Sequence, residues 1–213
     1  MNLRPPDSAP LMPVQVLLFD LGGVLIDIDF ERVFQAWAAH STLPIDELRR
    51  RFVIDATYER HERGELAPSH YLDHVRRLLA LDADDQAVAD GWNAVFVGEI
   101  AETVALVRAV RRHLPCFVLT NTNPIHQQAW SNAYPGLISL FEQIFVSSEL
   151  GMRKPEQRAY RSVATAIGVD PAAILFFDDL QQNVDGARSA GMQAVQVSGP
   201  QDIRRELART GLV

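Results

Sequence analysis

Short apolar runs that stop at polar residues recur along this chain. Runs of this kind suit strands that are covered on both faces, as in a parallel sheet. Between them lie stretches whose apolar residues repeat at helical spacing. The alternation predicts an α/β fold, a Rossmann-like parallel sheet with helices on both faces. The expected strands are Val14–Leu21, Cys116–Thr120, Ile144–Ser147, Ile174–Asp178 and Ala194–Val197, and the expected helices between them are Thr103–His113, Glu156–Ile167 and Asn183–Ala190.

One long segment breaks the alternation. From residue 30 to about residue 98 no strand candidate of comparable quality occurs, and the patterns are helical. We interpret residues 30–98 as a small helical cap inserted after the first strand, and residues 14–29 and 99–213 as the core. The proline-rich residues 1–13 are expected to form a flexible tail. The cap helices are expected at Glu31–Ala39, Pro44–Phe52, Pro68–Leu79 and Asp84–Val97.

The cap leaves and rejoins the core beside the end of the first strand. This position suits a lid over whatever lies there. A fixed helical subdomain that does not move would give the same sequence pattern.

Acidic residues stand at the ends of two of the expected strands. Asp20 ends the first, and Asp178 and Asp179 end the fourth. Because ligands bind beyond the carboxyl ends of parallel strands, we expect these acids to converge. Clustered carboxylates repel one another unless a cation lies between them, and an all-oxygen ligand set favours Mg²⁺. The sequence therefore predicts a magnesium site in which Asp20 is a nucleophile towards phosphorus.

Two adjacent acids in a strand point to opposite faces, so only one of Asp178 and Asp179 is expected to bind the metal directly. The other would orient water or a lysine, as outer-sphere groups do. Asn183 follows closely and is expected to brace this loop.

Other polar residues near strand ends fit phosphate binding. Gly22 and Gly23 permit a tight turn whose backbone N–H groups can approach phosphate oxygens. Thr120 and Asn121 offer a hydroxyl and an amide after an apolar run. Lys154 can neutralise both an aspartate and a phosphate, and the basic residues of this chain are mostly arginine. Taken singly, each also fits an ordinary turn or a solvated surface.

Taken in order, these motifs resemble the haloacid dehalogenase-like superfamily of hydrolases. The matching residues are Asp20 in Phe-Asp-Leu-Gly-Gly-Val, Thr120 in Leu-Thr-Asn, Lys154 in Arg-Lys-Pro, and the Phe-Phe-Asp-Asp run that ends at residue 179. The resemblance covers nearly the whole chain after the tail. It implies that Asp20 is both nucleophile and magnesium ligand, with the Gly22 carbonyl as a backbone ligand. It also implies Asp179 as the direct acidic ligand, with its neighbour Asp178 in support.

Four segments, residues 20–30, 61–65, 119–123 and 151–155, look like the bacterial α-D-glucose-1-phosphate phosphatase branch. The resemblance implies a Mg²⁺-dependent phosphatase that hydrolyses a small phosphorylated metabolite through an aspartyl-phosphate. A sugar phosphate such as α-D-glucose 1-phosphate is the expected substrate. Thr120 and Asn121 would hold the transferring phosphoryl group, and Lys154 would balance its charge.

The cap motif at residues 61–65 is expected to reach the site. His61, Glu62 and Arg63 are candidate substrate-binding residues, with Arg63 on phosphate and Glu62 on a sugar hydroxyl. A solvated helix end that stops at a glycine is the alternative reading of this motif.

The chain departs from the superfamily pattern at Gly22. Most phosphatases of the superfamily carry a second aspartate there, which protonates the leaving group and then activates water. General acid catalysis typically contributes about 10²–10⁴-fold, so either another group supplies it or turnover is slow on poor leaving groups. The candidate replacements are His61, Glu62 and Asp27.

Two other functions remain open at this point. One is a carbon–halogen hydrolase of the 2-haloacid dehalogenase type, since those enzymes also lack the second acid. The pair Asp178–Asp179 argues against it, because dehalogenation needs no metal. The other is a catalytically silent protein that binds phosphate or a partner.

Composition narrows the setting. The net charge of −7 argues against nucleic-acid binding, and no apolar run is long enough to span a membrane. Cys116 is the only cysteine and lies in an apolar run, so we expect a buried thiol and no internal disulfide. A cytoplasmic monomer or homodimer fits these features.

Overall fold

The computed structural model of the chain describes residues 13–212. The expected tail, residues 1–13, therefore lies outside the described residues except for Pro13. The strands are β1 (Val16–Phe19), β2 (Ile26–Ile28), β3 (Phe96–Glu99), β4 (Cys116–Thr120), β5 (Gln143–Val146), β6 (Ile174–Asp178) and β7 (Gln193–Gln196).

The helices begin and end close to where the periodicity places them, with additions described below. No helix in residues 13–212 combines the length and apolar character that a membrane crossing requires. The helices are α1 (Phe30–Ala38), α2 (Ile45–Arg51), α3 (Ala56–Glu62), α4 (Pro68–Leu78), α5 (Asp85–Asn93), α6 (Ala101–Val110), α7 (Pro124–Ala133), α8 (Pro135–Ile138), α9 (Ser147–Leu150), α10 (Gln157–Ile167), α11 (Gln181–Ser189) and α12 (Pro200–Arg209).

The main sheet is parallel and has the order β5-β4-β1-β6-β7 within the described residues. After β1 the chain builds β4 and β5 on one side, and then returns to build β6 and β7 on the other. The strand order therefore reverses between β1 and β6, which pair with Phe19 opposite Phe177. Ligands bind at such a switch point in open α/β sheets, beyond the carboxyl ends of the strands.

Helices cover both faces of this sheet, as the uniformly apolar strands predict. Leu17 and Phe19 of β1 pack on one face against residues of α6 and α12. Val16 and Leu18 pack on the other face against residues of α10 and α11. Burial of both faces explains why β1, β4 and β6 carry no alternation of polar and apolar residues.

Helices α1 to α5 form a cap with a core of its own. At its centre the indoles of Trp37 and Trp92 stack with their ring centroids 5.5 Å apart. A Cβ on Gly91 would lie 2.4 Å from Cδ1 of Trp37, so this helix can pass the indole only with a glycine there. The Trp37 indole N–H donates to the Val88 carbonyl at 3.0 Å, which satisfies its buried polar atom.

The structure corrects one prediction for the cap. The helix expected over Asp84–Val97 ends at Asn93, and the segment from Phe96 forms β3, which pairs antiparallel with β2. Residues 30–98 therefore do contain strand residues. The partner of β3 lies about 70 residues earlier in the chain, and pairing over that distance overrides the local helical pattern. Together β2 and β3 form a two-stranded flap where the chain leaves and re-enters the core.

Five helices were not expected from the periodicity, namely α3, α7, α8, α9 and α12. For α3 a capping signal is present, because the Asp55 carboxylate accepts the Tyr58 backbone N–H at 2.8 Å. This short helix ends at Glu62, so it carries the cap motif to its position over the core.

Candidate active site

The strand ends bring Asp20, Asp178 and Asp179 together. Each offers a carboxylate oxygen that lies within 4.8 Å of a carboxylate oxygen of the other two. Within residues 13–212 no other cluster of three or more Asp, Glu, His or Cys side chains is this close. Asp20 follows β1 directly and Asp178 is the last residue of β6. The parallel, in-step pairing of these two strands therefore creates the cluster.

Lys154 is the only lysine in the sequence, and its side chain is 1% exposed. Its Nζ lies 2.8 Å from Oδ1 of Asp20 and 2.6 Å from Oδ2 of Asp178. The Asn121 side chain fixes the lysine's backbone, accepting the Lys154 N–H at 2.8 Å and donating to the Lys154 carbonyl at 2.9 Å. The side-chain amide of Asn121 is thus occupied by the lysine loop, while Asn121 itself lines the cavity described below, and its contact with a phosphoryl group stays a prediction.

Asp178 and Asp179 have different surroundings. The oxygens of Asp178 accept hydrogen bonds from three donors. These are Nζ of Lys154 at 2.6 Å, Nδ2 of Asn183, which lies 2.9 and 3.1 Å from the two oxygens, and the Leu180 N–H at 2.9 Å. The Asp178 carboxylate is fully buried and saturated with donors. Asp179 is half-buried and lines the cavity described below. Its carboxylate is the one better placed to take a metal.

The glycine turn lies against this cluster. Gly23 has a φ of +75°, and a Cβ there would lie 2.8 Å from Oδ2 of Asp179, so the turn requires glycine. Its N–H donates to the Ile26 carbonyl at 2.8 Å, which removes it as a phosphate donor. Gly23 therefore shapes the turn and does not offer the phosphate contact that we expected. A Cβ on Gly22 would meet only the tip of the Ile28 side chain, at 3.3 Å.

The electrostatics of the cluster show a deficit of positive charge. Burial raises the pKa of Asp20 to about 8, and the charges of Asp178 and Asp179 add to the rise while Lys154 opposes it. Burial also raises the pKa of Asp179, with Asp178 contributing. Burial disfavours the ammonium of Lys154, but attraction to Asp178 and Asp20 raises its pKa. One lysine therefore does not offset three clustered acids.

The donor set fits a divalent cation. Carboxylate and backbone oxygens are the ligands that Mg²⁺ prefers, and the cluster has acid oxygens to spare. Asp20 and Asp179 would hold the ion, with the Gly22 carbonyl beside them. When bound, it would supply the positive charge that the cluster lacks.

A cavity of about 190 Å³ opens over the cluster. Its floor is polar and includes Asp20, Thr120, Lys154 and Asp179. Its walls come mainly from the cap, the flap and α7, and are largely apolar or aromatic. The wall residues include Ile28, Phe30, Ile54, Tyr58, Glu62, Val95, Phe96, His126, Trp130 and Arg153.

The wall contains polar atoms that sequence reasoning missed. Burial lowers the pKa of His126 to about 3, so its ring is neutral. The buried indole N–H of Trp130 has no partner among the described residues. Arg153 stands next to Lys154 in the quoted Arg-Lys-Pro motif, and that adjacency was the one available signal for it.

The three cap candidates occupy different places. Glu62 lines the cavity, is 4% exposed, and accepts from Nε of Arg153 at 2.8 Å. The His61 ring is buried and stacks on Tyr71 with centroids 4.2 Å apart. The Arg63 guanidinium is engaged by Glu156 and Glu59 and does not line the cavity. The arginine that reaches the cavity is therefore Arg153, and not Arg63.

The three candidates for the missing general acid also differ in whether they line the cavity. Asp27 is exposed on β2, and His61 lies behind the cavity wall. Of these two and Glu62, only Glu62 lines the cavity. Burial raises the pKa of Glu62, while Arg153, Lys154 and Tyr58 oppose that rise.

The chain is similar to known hydrolases and phosphatases. A model of haloacid dehalogenase-like hydrolases matches residues 14–191. The phosphatase MT3486 of Mycobacterium tuberculosis (strain CDC 1551 / Oshkosh) is 31% identical over 216 residues, covering 95% of this chain and 97% of that protein. The D-ribitol-5-phosphate phosphatase of Bacteroides thetaiotaomicron is 22% identical over 200 residues, covering 91% of this chain and 97% of that protein.

A solved structure is also similar. The wild-type HAD family enzyme bt-2542 of Bacteroides thetaiotaomicron, in complex with magnesium and inorganic phosphate, matches with a TM-score of 0.76 and 28% identity, covering 86% of this chain and 93% of that one. Family membership and the named phosphatase relatives together support a phosphoric monoester hydrolase. The sheet, the four motifs and these matches show that the chain belongs to the haloacid dehalogenase-like hydrolase family.

Proposed function

We propose that this protein is a Mg²⁺-dependent phosphatase that hydrolyses a small phosphorylated metabolite through an aspartyl-phosphate on Asp20. The observation that carries the proposal is the cluster at the floor of the cavity. There Asp20, Asp179 and Lys154 share one small volume beneath a largely apolar wall. The magnesium and phosphate in the similar bt-2542 structure support the same chemistry.

The contacts of Asp20 assign roles to its two oxygens. Oδ1 accepts the Leu21 N–H at 2.7 Å and lies 2.8 Å from the ammonium of Lys154. Oδ2 has no hydrogen-bond donor among the described residues, and we assign it to the attack on phosphorus. The bond from phosphorus to the leaving oxygen breaks as the bond to Oδ2 forms, and the leaving alkoxide takes a proton from water. Water then attacks phosphorus, the bond from phosphorus to Oδ2 breaks, and phosphate leaves with the Asp20 carboxylate restored. The Thr120 hydroxyl donates a hydrogen bond to the phosphoryl group, and Lys154 neutralises the negative charge that develops on that group.

The cavity favours a small leaving group. Its volume of about 190 Å³ is below the roughly 300–1,000 Å³ typical of pockets for drug-sized ligands. Aromatic residues such as Phe96 and Trp130 offer flat apolar faces to a sugar ring. Glu62, held by Arg153, offers an acceptor to a sugar hydroxyl. A sugar phosphate such as α-D-glucose 1-phosphate is therefore the proposed substrate.

The proposal also covers the cellular location and the oligomeric state of the protein. Burial raises the pKa of Cys116 to about 12, so this thiol is an inert core group. A protein without disulfides suits the cytoplasm. We assign the protein there, as a monomer or homodimer.

A phosphate-release screen tests the proposal. Wild-type protein is assayed with Mg²⁺ on sugar phosphates, on p-nitrophenyl phosphate and on 2-haloacids, with Asp20→Asn as the inactive control. We expect phosphate release from a sugar phosphate that EDTA abolishes, because the acid cluster needs the cation. Halide release that survives EDTA would instead show a dehalogenase. Ligand binding without turnover on any ester would show a silent protein.

The stability of the metal-free protein tests the electrostatic strain at Asp20. Because the folded pKa of Asp20 lies above its unfolded value, its ionisation destabilises the fold progressively as the pH rises from about 4 to about 8. Asp20→Asn removes this effect, so metal-free Asp20→Asn should melt several degrees above wild type at pH 8. About 1 kcal/mol corresponds to roughly 2–4 °C in a protein of this size. The difference in melting temperature should narrow towards pH 5. An Asp20→Asn protein that melts at or below the wild-type temperature at pH 8 would contradict the claim that ionised Asp20 destabilises the metal-free fold.

Metal titration tests whether Asp179, rather than its neighbour Asp178, binds the metal directly. Asp179→Asn should raise the Mg²⁺ concentration for half-maximal activity at least about tenfold, as loss of a charged ligand group or its support typically does. The control is Asp202→Asn, the same change at a surface residue of α12 that pairs with Arg205. A Mg²⁺ titration curve that coincides with wild type would remove Asp179 from the metal site.

Restoring an acid at position 22 tests whether proton transfer limits turnover. The nearest atom to a new Cβ is Cδ1 of Ile28 at 3.3 Å, which has to shift by only a few tenths of an ångström, so Gly22→Asp should be accommodated. We expect turnover of simple alkyl phosphates to rise at least about tenfold, towards the 10²–10⁴ of general acid catalysis. Gly22→Asn, which has no proton to give, is the matched control. If both variants turn over alkyl phosphates at the same rate, the missing acid is not the limit.

A further inference from the structure

The loop that carries Lys154 is held by the cap on both sides of the lysine. Arg153, one residue before it, donates through Nε to Glu62 at 2.8 Å and through Nη1 to Glu59 at 3.0 Å. Two residues after Lys154, Glu156 accepts from Nε of Arg63 at 2.7 Å. We call this set of contacts the α3 seam. It consists of Glu59, Glu62 and Arg63 at the end of α3, and Arg153 and Glu156 in the core loop.

Four of the five side chains of the seam are largely shielded from solvent. Arg153 and Glu62 have side-chain exposures of 12% and 6%, and Arg63 and Glu156 of 19% and 23%, whereas Glu59 is 37% exposed. Pairs this sheltered are screened far less by salt than the exposed ion pairs elsewhere on the molecule. Their contacts therefore contribute to holding the loop in place.

The charges of the seam also fix its register. The cap contributes an acid towards Arg153 and a base towards Glu156, so sliding by one helical turn would place like charges together. Directly after the helix, Gly64 has a φ of +69°, and a Cβ there would lie 2.2 Å from the carbonyl oxygen of Ser148. The cap and core backbones are in direct contact at this point, which leaves no room for a side chain between them.

Lys154 needs such control. Its Nζ must lie between Asp20 and Asp178, and both contacts are under 3 Å. Asn121 holds the lysine's backbone from the core side. The α3 seam holds the two flanking residues from the cap side, so the lysine is clamped between the domains.

We propose that the cap, through the α3 seam, positions Lys154 for catalysis. The cap then does more than cover the site, because its docking sets the geometry of a charge at the reacting centre. Arg63 and Glu156 are positioning residues, since they act through the loop and do not line the cavity. The effect on turnover rests on the proposed phosphatase function, whereas the placement of the lysine does not.

The pair Arg63–Glu156 allows a charge-swap test. Arg63→Glu and Glu156→Arg each place like charges in the seam. The double variant restores an opposite pair between positions 63 and 156, while the new acid lies beside Glu59 and the new base beside Arg158. With p-nitrophenyl phosphate at saturating Mg²⁺, we expect each single variant to lower kcat about tenfold or more with little change in KM, because a misplacement of about 1 Å can cost 10²-fold. The double variant should recover part of kcat, because the pair between positions 63 and 156 is restored while the contacts with Glu59 and Arg158 are not. Glu156→Gln gives a milder break if a single variant fails to fold.

Because Lys154 is the only lysine, its position can be read without any activity. An amine-acylating reagent followed by peptide mass spectrometry reports modification at residue 154, separately from the N-terminus. In wild type we expect slow labelling, since the ammonium is buried between two acids. Labelling should accelerate in each single variant and slow again in the double variant. Arg76→Glu, which breaks ion pairs with Asp73 and Asp85 inside the cap, is the control and should leave labelling and kcat near wild type.

Three results would overturn the proposal. One is wild-type labelling and kcat in both single variants. Another is a folded double variant that recovers neither. The third is an Arg76→Glu protein that loses as much kcat as Arg63→Glu, which would show general weakening of the cap. If wild type releases phosphate from no ester, the phosphatase proposal fails, while the labelling pattern still decides whether the seam places Lys154.

Discussion

The site depends on the side-by-side, in-step pairing of β1 and β6. With Phe19 opposite Phe177, Asp20 follows β1 at the level of Asp178, which is the last residue of β6, and Asp179 comes next. Nothing in the local sequence forces these acids together. The sheet does so, at the point where its strand order reverses. The surrounding contacts then hold acidic side chains closer together than they would lie in water.

The neighbours of each acid decide what it can do. Asp178 is surrounded by Lys154, Asn183 and a backbone N–H, so it is a fixed charge that orients the lysine. Asp179 has an open side and faces the cavity. Asp20 combines burial with a free oxygen, which suits attack on phosphorus but strains the metal-free fold. Such strain at a reacting centre is an ordinary exchange of stability for function.

Local sequence signals predicted the core well, because they and the tertiary structure agree there. The apolar runs before Asp20 and Asp178 became β1 and β6, and their acids met as the topology of a parallel sheet requires. The flap was missed because β2 and β3 are short and pair across about 70 residues. Helix α3 was missed because its buried residues Tyr58, His61 and Glu62 are mostly polar, so it shows no apolar repeat.

The cap side of the site was hardest to predict, because its contacts join residues that lie far apart in the sequence. Glu62 stood in a recognisable motif, but nothing in the sequence linked it to Arg153, some 90 residues away. Arg63 was expected at the phosphate and instead contacts Glu156. Side chains that meet across a domain boundary are specified by docking geometry, which a linear pattern does not contain. A motif shared with a family therefore locates residues on the correct element without giving their partners.

A crystal structure with Mg²⁺ and fluoroaluminate, a mimic of the transferring phosphoryl group, tests the central claim most directly. Our account predicts one Mg²⁺ bound by Asp20 and Asp179, with aluminium in line with Oδ2 of Asp20 and a fluoride within reach of Lys154. A metal bound elsewhere, or a mimic seated away from Asp20, would contradict it.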